Sequence, residues 1–271
     1  MTMTYQSLAS GPGWRVTDIV CRSGPGDRPF EEQHDSVCIA LVTGGSFQYR
    51  STLASATIVP GSLLLGNQDA CFECGHEHGI GDRCLAFNFS QEHLDTIFSA
   101  VLGARPSFNR VHLPPLPELM SLSAAAEAAR DEGDMFALEE IAVRLAGAAA
   151  VILSKNPGTV VTLARRDEKR VTAAVRRIEA QPEAPWSING LARDAAMSPY
   201  HFLRVFRRVI GMTPHQYVLR TRMHRAAIAL RTTRERITDI AYAAGFNDLS
   251  TFNRRFHRLM GVSPGAFRRR A

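Results

Sequence analysis

Apolar residues along this chain change rhythm twice. From about residue 14 to 90 they come in short continuous or alternating runs: Val37 to Val42, Phe47 to Tyr49, Ala56 to Val59, Ser62 to Leu65 and Cys84 to Phe89. Turn signals separate them, among them Gly24-Pro25-Gly26, Gly44-Gly45 and Pro60-Gly61. Many short strands at close spacing predict a small antiparallel barrel or sandwich. From about Leu116 to Ser154 the pattern is helical and rich in Ala, Leu and Glu, with Gly133-Asp134 as the break of a helical hairpin. Ile141, Leu145, Ala148 and Ile152 fall on one stripe there. That stripe serves either as a dimer seam or as packing against the chain's own strands. Asn156-Pro157-Gly158 and the charged run Arg165 to Arg170 read as a linker. An all-helical block follows. The expected fold class is α+β, divided into residues 1–155, a linker 156–170 and residues 171–271.

The helical block contains a repeat. Leu191-Ala192, Ser198, Phe202, Phe206, Gly211, Thr213-Pro214 and Tyr217 return as Ile240-Ala241, Asp248, Phe252, Phe256, Gly261, Ser263-Pro264 and Phe267. The offset is 49 at the start and 50 from Ser198 onward, so the second copy gains one residue in its turn. Each copy predicts helix, turn, helix. Ser187 caps the first helix, with Trp186 stapling onto Leu191. Ser198 and Pro199 open the second helix and Gly211 ends it. Phe202, Val205, Phe206 and Val209 make its core stripe, as Phe252, Phe256 and Leu259 do in the other copy. Between the copies, Thr213-Pro214 starts a helix running to about Leu230. About 17 residues span roughly 25 Å, which suits two heads about one DNA turn, near 34 Å, apart.

Charge gives those helices a partner. The 271 residues carry a formal net charge of +6, but residues 1–155 hold 10 basic and 18 acidic side chains, whereas residues 156–271 hold 22 and 8. A block of net +14 favours a polyanion, through release of phosphate counterions. Opposite the phenylalanine stripes lie Tyr200, Leu203, Arg204 and Arg207 in one helix and Ser250, Asn253, Arg254 and His257 in the other. Arg and Asn are the strongest readers of guanine and adenine edges, so Arg204 and Arg254 are the candidate base readers. Arg208, Arg255 and Arg258 flank them as phosphate contacts. No apolar run approaches the roughly 20 residues that cross a membrane, and no signal peptide is evident at Met1 to Ser10. The expected location is cytoplasmic, where five cysteines do not imply a disulfide scaffold.

The block resembles the DNA-binding domain of the AraC/XylS family of bacterial regulators. Leu191-Ala192, Ser198-Pro199-Tyr200-His201-Phe202, Arg204, Phe206, Gly211, Thr213-Pro214, Arg222, Ala226, Ile240-Ala241, Gly245-Phe246, Phe252, Arg255-Phe256 and Gly261-Val262-Ser263-Pro264 carry the resemblance, over about residues 171–270. It implies seven helices, a linker helix between two helix-turn-helix units, and double-stranded promoter DNA as partner, with RNA polymerase as a second. It also implies that residues 1–155 form a cupin-like β-barrel followed by dimerising helices, in a regulator that is a homodimer and answers to a small-molecule or metal effector.

The segment from Cys71 to Cys84 holds Cys71, Cys74, Cys84, His76 and His78. Thiols and imidazoles are the donors that zinc and softer metals prefer. On a strand, Cys74, His76 and His78 share a face, and Cys84 is a fourth candidate ligand. A transition-metal ion such as zinc is therefore the candidate cofactor. The other readings are a small core thiol with solvated histidines, or an organic-ligand site. Three function classes compete: a ligand- or stress-responsive regulator, a metal-dependent oxygenase targeted to DNA, and a methyl-accepting thiol protein. An iron enzyme needs a third protein ligand with no matching second motif here. The methyl-accepting reading needs four clustered cysteines, where three are present. A non-enzymatic regulator is the expectation.

Overall fold

The computed structural model describes residues 3–29, 31–76, 81–102, 108–155 and 165–269. Ten strands come from the amino-terminal half: β1 (Met3–Gly11), β2 (Trp14–Cys21), β3 (Glu31–Gln33), β4 (Val37–Gly45), β5 (Phe47–Ser51), β6 (Ser55–Ile58), β7 (Leu63–Gly66), β8 (Cys71–Gly75), β9 (Asp82–Phe89) and β10 (His112–Leu113). Among the described residues they do not close into the expected barrel. Among the described residues they form a six-stranded sheet, β1-β2-β9-β4-β7-β10, and a four-stranded sheet, β3-β8-β5-β6, each antiparallel throughout.

Strand β4 shows why its sequence is apolar without alternation. All six residues from Val37 to Val42 are buried, because both faces of the larger sheet are covered. Cys38, Ala40 and Val42 point between the sheets, where Phe47, Tyr49, Ala56 and Ile58 of the smaller sheet meet them. Val37, Ile39 and Leu41 point the other way, into a core shared with helices α1 (Gln91–Leu102), α2 (Met120–Glu132) and α3 (Met135–Lys155). Gly133 ends α2 with a positive φ of 68°, as the Gly133-Asp134 break requires.

The stripe of α3 has the internal role. Ile141 and Leu145 are buried in the sheet-and-helix core, with the half-buried Ala148 and Ile152 packed against it. The exposed apolar side chains of α3 are instead Met135, Phe136, Val143 and Val151. Helix α1 and strand β1 lie outside the elements that the periodicity predicts.

The carboxy-terminal half has seven described helices: α4 (Arg165–Ala180), α5 (Ile188–Asp194), α6 (Pro199–Ile210), α7 (Pro214–Thr232), α8 (Ile237–Ala243), α9 (Leu249–Met260) and α10 (Pro264–Arg269). The charged run Arg165 to Arg170, expected as linker, is the first turn and a half of α4. Residues 156–164 lie outside the described residues.

Two cores flank α7. Tyr217 and Val218 join Phe202, Phe206, Leu191 and Val175 on one side. Met223, Ala226, Ala227 and Leu230 join Ile240, Phe252, Phe256 and Phe267 on the other. The amino-terminal half docks on the same helix: Met120 and Ala124 of α2 enter the second core, and Val59 enters the first.

Candidate nucleic-acid interface

Each unit is built from local signals. Ser187 Oγ accepts from Gly190 N at 3.1 Å to start α5, and Ser198 Oγ accepts from His201 N at 3.3 Å to start α6. Asp248 Oδ1 accepts from Thr251 N at 2.7 Å to start α9, and this bond holds its carboxyl below the usual carboxylate range. Gly211 and Gly261 end α6 and α9 with φ of 82° and 74°. The turns inside the two units share one hydrogen-bond scheme. Met197 N donates to Ala192 O as Phe246 N donates to Ala241 O. The left-handed residue is Ala196 (φ 49°) in the first turn and Gly245 (φ 84°) in the second. The added residue of the second copy, Asn247, follows that shared turn.

The helices face as the pattern predicts. Phe202 and Phe206 of α6, and Phe252 and Phe256 of α9, are fully buried. Tyr200 is 76% exposed, and Leu203, Arg204, Arg207 and Arg208 are exposed beside it. On α9, Ser250, Asn253, Arg254, His257 and Arg258 are exposed. Arg255 departs from the set: it is half-buried and lines the cleft between the units, near Arg222.

Helix α7 sets the spacing. It opens with a capping box between Thr213 and Gln216. Its 19 residues span about 28 Å at 1.5 Å each. Arg222, at its middle, donates to Pro182 O (2.6 Å), Ala184 O (2.9 Å) and Glu183 O (3.3 Å), which lead into the first unit, and to Gly245 O (2.8 Å), in the turn of the second. Partial burial lowers its pKa, yet the guanidinium stays charged. One side chain thus ties the two units together. The sequence reading placed it within the family resemblance and missed this role, because its four acceptors are backbone atoms whose position only the fold decides.

The same helix carries the contacts to the other half. Arg220 is buried at 5% exposure and donates to Pro60 O at 3.2 Å, stacked against the Pro60-Gly61 turn. His224 Nε2 meets Glu127 Oε1 of α2 at 2.6 Å, and Arg176 donates to Ser46 Oγ at 3.1 Å.

The cysteine–histidine segment is rearranged relative to expectation. Cys74 and His76 do share an inward face, and with Cys84 they line a cavity of about 250 Å³ between the sheets. His78 lies outside the described residues. Among the described residues, donor atoms of Cys21, His76 and Asp82 come together, all within 4.8 Å of one another. Cys21 and Asp82 went unnamed as ligands because they sit 61 positions apart and meet only through the β2–β9 register. Burial, then the nearby Asp82, pushes the Cys74 and Cys84 thiols well above their usual range.

Buried phenylalanine stripes, outward Arg and Asn side chains and a fixed spacing define a protein with a bipartite helix-turn-helix domain. The family described as "Helix-turn-helix domain" matches residues 191–270. Among curated proteins, the chain is 29% identical over 102 residues to the HTH-type transcriptional regulator MtrA of Neisseria gonorrhoeae, covering 38% of this chain and 34% of that one. It is 42% identical over 82 residues to the HTH-type transcriptional regulator Rv1931c of Mycobacterium tuberculosis, covering 30% and 32%. The matched part thus spans about a third of the length of these relatives. Among solved structures, the DNA-binding domain of AdpA in complex with a target DNA aligns at 27% identity over 37% of this chain and 91% of that one, with a TM-score of 0.36. Residues 191–270 thus form a helix-turn-helix domain similar to that of these transcriptional regulators. No helix among the described residues is long and apolar enough to cross a membrane.

Proposed function

We propose that this chain is a sequence-specific transcriptional regulator of the AraC/XylS kind, in which α6 and α9 enter successive major grooves of promoter DNA and residues 1–155 control them. The observation that carries the reading is the pair of α6 and α9: same cap, same buried stripe, same basic outer face, held by one helix and one arginine. Arg204, Arg254 and Asn253 read base edges, with Tyr200, Leu203, Arg207, Ser250 and His257 around them. Arg208, Arg255 and Arg258 hold phosphates, Arg255 from the edge of the cleft that it lines. Residues 156–170 join the halves. A cupin-like sensing domain fits the cavity between the two sheets, although its strands stay in separate sheets. Control through α7 is supported by Arg220 on Pro60 and His224 on Glu127, since the helix that spaces the units also receives the amino-terminal half. RNA polymerase is the expected protein partner of such a regulator on DNA.

The test is selection of bound sequences from a random duplex pool by the full chain, followed by competition at several salt concentrations. The selected duplex is expected to outcompete random DNA, and log affinity to fall linearly with log salt. Arg204→Ala is expected to cost about 1–3 kcal/mol and relax preference at one position, whereas Arg208→Ala weakens all sequences alike. Equal competition by selected and random duplexes overturns the reading.

A further inference from the structure

We infer that Cys21, His76 and Asp82 form a binding site for one divalent transition-metal ion of the zinc class, placed where the two sheets of the amino-terminal half meet. The site goes beyond the DNA-binding reading and stands on its own geometry.

Three segments supply it. Cys21 ends β2 and Asp82 begins β9, and the two are direct cross-strand partners, so their side chains lie on one face. His76 follows β8 in the other sheet and keeps the inward parity of Phe72 and Cys74. The chain is pinned here: Gly81 N donates to Ser23 O at 2.7 Å, and Gly81 adopts a φ of 70° with Cys21 O only 2.3 Å from where a Cβ would sit. Cys21 and His76 are each 4% exposed, and the side chain of the half-buried Asp82 is 8% exposed. They line a cavity rather than a filled core, so room exists beside them.

The donors suit zinc: one sulfur, one imidazole nitrogen and one carboxylate oxygen. At bond lengths of about 2.0–2.3 Å, ligand atoms of a tetrahedral site lie about 3.5 Å apart. The three atoms already lie within 4.8 Å, and His76 Nε2 meets Asp82 Oδ1 at 2.5 Å. To hold an ion the His76–Asp82 pair opens by about 1 Å, and separations as long as 4.8 Å close by about the same. Binding displaces two hydrogens: the Cys21 thiol loses the one now directed at Ser23 Oγ (3.3 Å) to solvent and bonds through its thiolate, and the one that His76 Nε2 shares with Asp82 Oδ1 moves to Nδ1 of the same ring or to solvent. The surroundings admit a cation: the Glu32 carboxyl lines the same cavity, and the guanidinium lining it, Arg15, is engaged by Asp35. Three protein ligands leave the fourth position for water or an effector atom. The ion would bridge the larger sheet, through Cys21 and Asp82, to the smaller one, through His76.

The experiment uses the full chain, purified with reductant, stripped with a chelator and titrated with Co²⁺ and then Zn²⁺. About one equivalent of Co²⁺ is expected, with a thiolate-to-cobalt charge-transfer band and tetrahedral d–d absorption that Zn²⁺ abolishes. Cys21→Ser is expected to remove the charge-transfer band and weaken binding by more than about tenfold, since even outer groups cost that much at metal sites. Cys71→Ser, outside the cavity, is expected to leave the spectrum unchanged. X-ray absorption of the zinc-loaded wild type keeps the inference testable if Cys21→Ser fails to fold: a mixed shell of sulfur with nitrogen and oxygen, including imidazole, is expected. Failure of the wild type to take up either metal overturns it. So does a shell without sulfur or without imidazole. DNA binding is measured on the same samples, so loss of metal uptake with DNA binding intact refutes this site and leaves the regulator reading standing.

Discussion

Arg222→Ala is the most informative single perturbation of the carboxy-terminal half. Arg222 makes three bonds shorter than 3 Å to carbonyls on two units, plus a longer one at 3.3 Å. Pro182 is buried, but Glu183, Ala184 and Gly245 are at least partly exposed and their carbonyls regain water once the side chain is gone, so each short bond counts for about 1 kcal/mol net at the least. The expected loss is about 3 kcal/mol of domain stability. Arg222→Lys recovers about a third, because one ammonium cannot reach acceptors that a planar fork reaches in several directions. The effect on DNA is separable from the effect on folding. Both reading helices keep their own caps and cores, so each half-site is still bound, but the linkage between half-sites weakens. Denaturant unfolding measures the first quantity. Binding to duplexes carrying both half-sites, or either one alone, measures the second below the unfolding transition. A stability loss under about 1 kcal/mol with unchanged linkage between half-sites would refute the clamp.

The two turns supply a matched pair of opposite sign. Ala196→Gly relieves a left-handed residue, which costs about 1–2 kcal/mol, against the entropy cost of glycine, and should leave stability unchanged or raise it by up to about 1 kcal/mol. Gly245→Ala puts a Cβ 2.7 Å from Glu183 Cα and 3.1 Å from Arg222 Cζ at a φ of 84°, and should destabilise by more than about 2 kcal/mol in the same unfolding assay; equal effects at both sites would contradict the shared-turn geometry. His34, buried against Phe72 and bonded to Tyr49 Oη at 3.0 Å, has its pKa lowered from 6.5 to about 4 by burial, with Asp35 opposing. Above pH 6.5 it is neutral folded or unfolded, and its full contribution is present. Between 6.5 and 4 the unfolded chain takes the proton and the folded chain does not, so stability falls with pH by up to about 1.4 kcal/mol per unit. His34→Gln should flatten that slope in denaturant titrations across the window, and an unchanged slope would sink the assignment.

Local rules made the carboxy-terminal half legible from its residues. Caps at Ser187, Ser198, Thr213 and Asp248, glycines at 211 and 261, and phenylalanines four apart act within a few residues of themselves, so spacing along the chain is already spacing in space. The extent of α7 and the outward faces of α6 and α9 follow from the same signals. What tertiary structure alone decided is non-local. Strand runs were visible, but their pairing into two sheets rather than a barrel depends on contacts such as Cys21 with Asp82, which no short-range periodicity encodes. The stripe of α3 could equally face a partner or its own sheet, and only the fold places Ile141 and Leu145 in the core beneath the larger sheet. Arg165 to Arg170 looked like linker because charge is tolerated in both a loop and a solvated helix turn. The roles of Arg220 and Arg222 were hidden for a related reason: an arginine is at home on a basic surface, and only the carbonyls brought to it by folding turn it into a clamp.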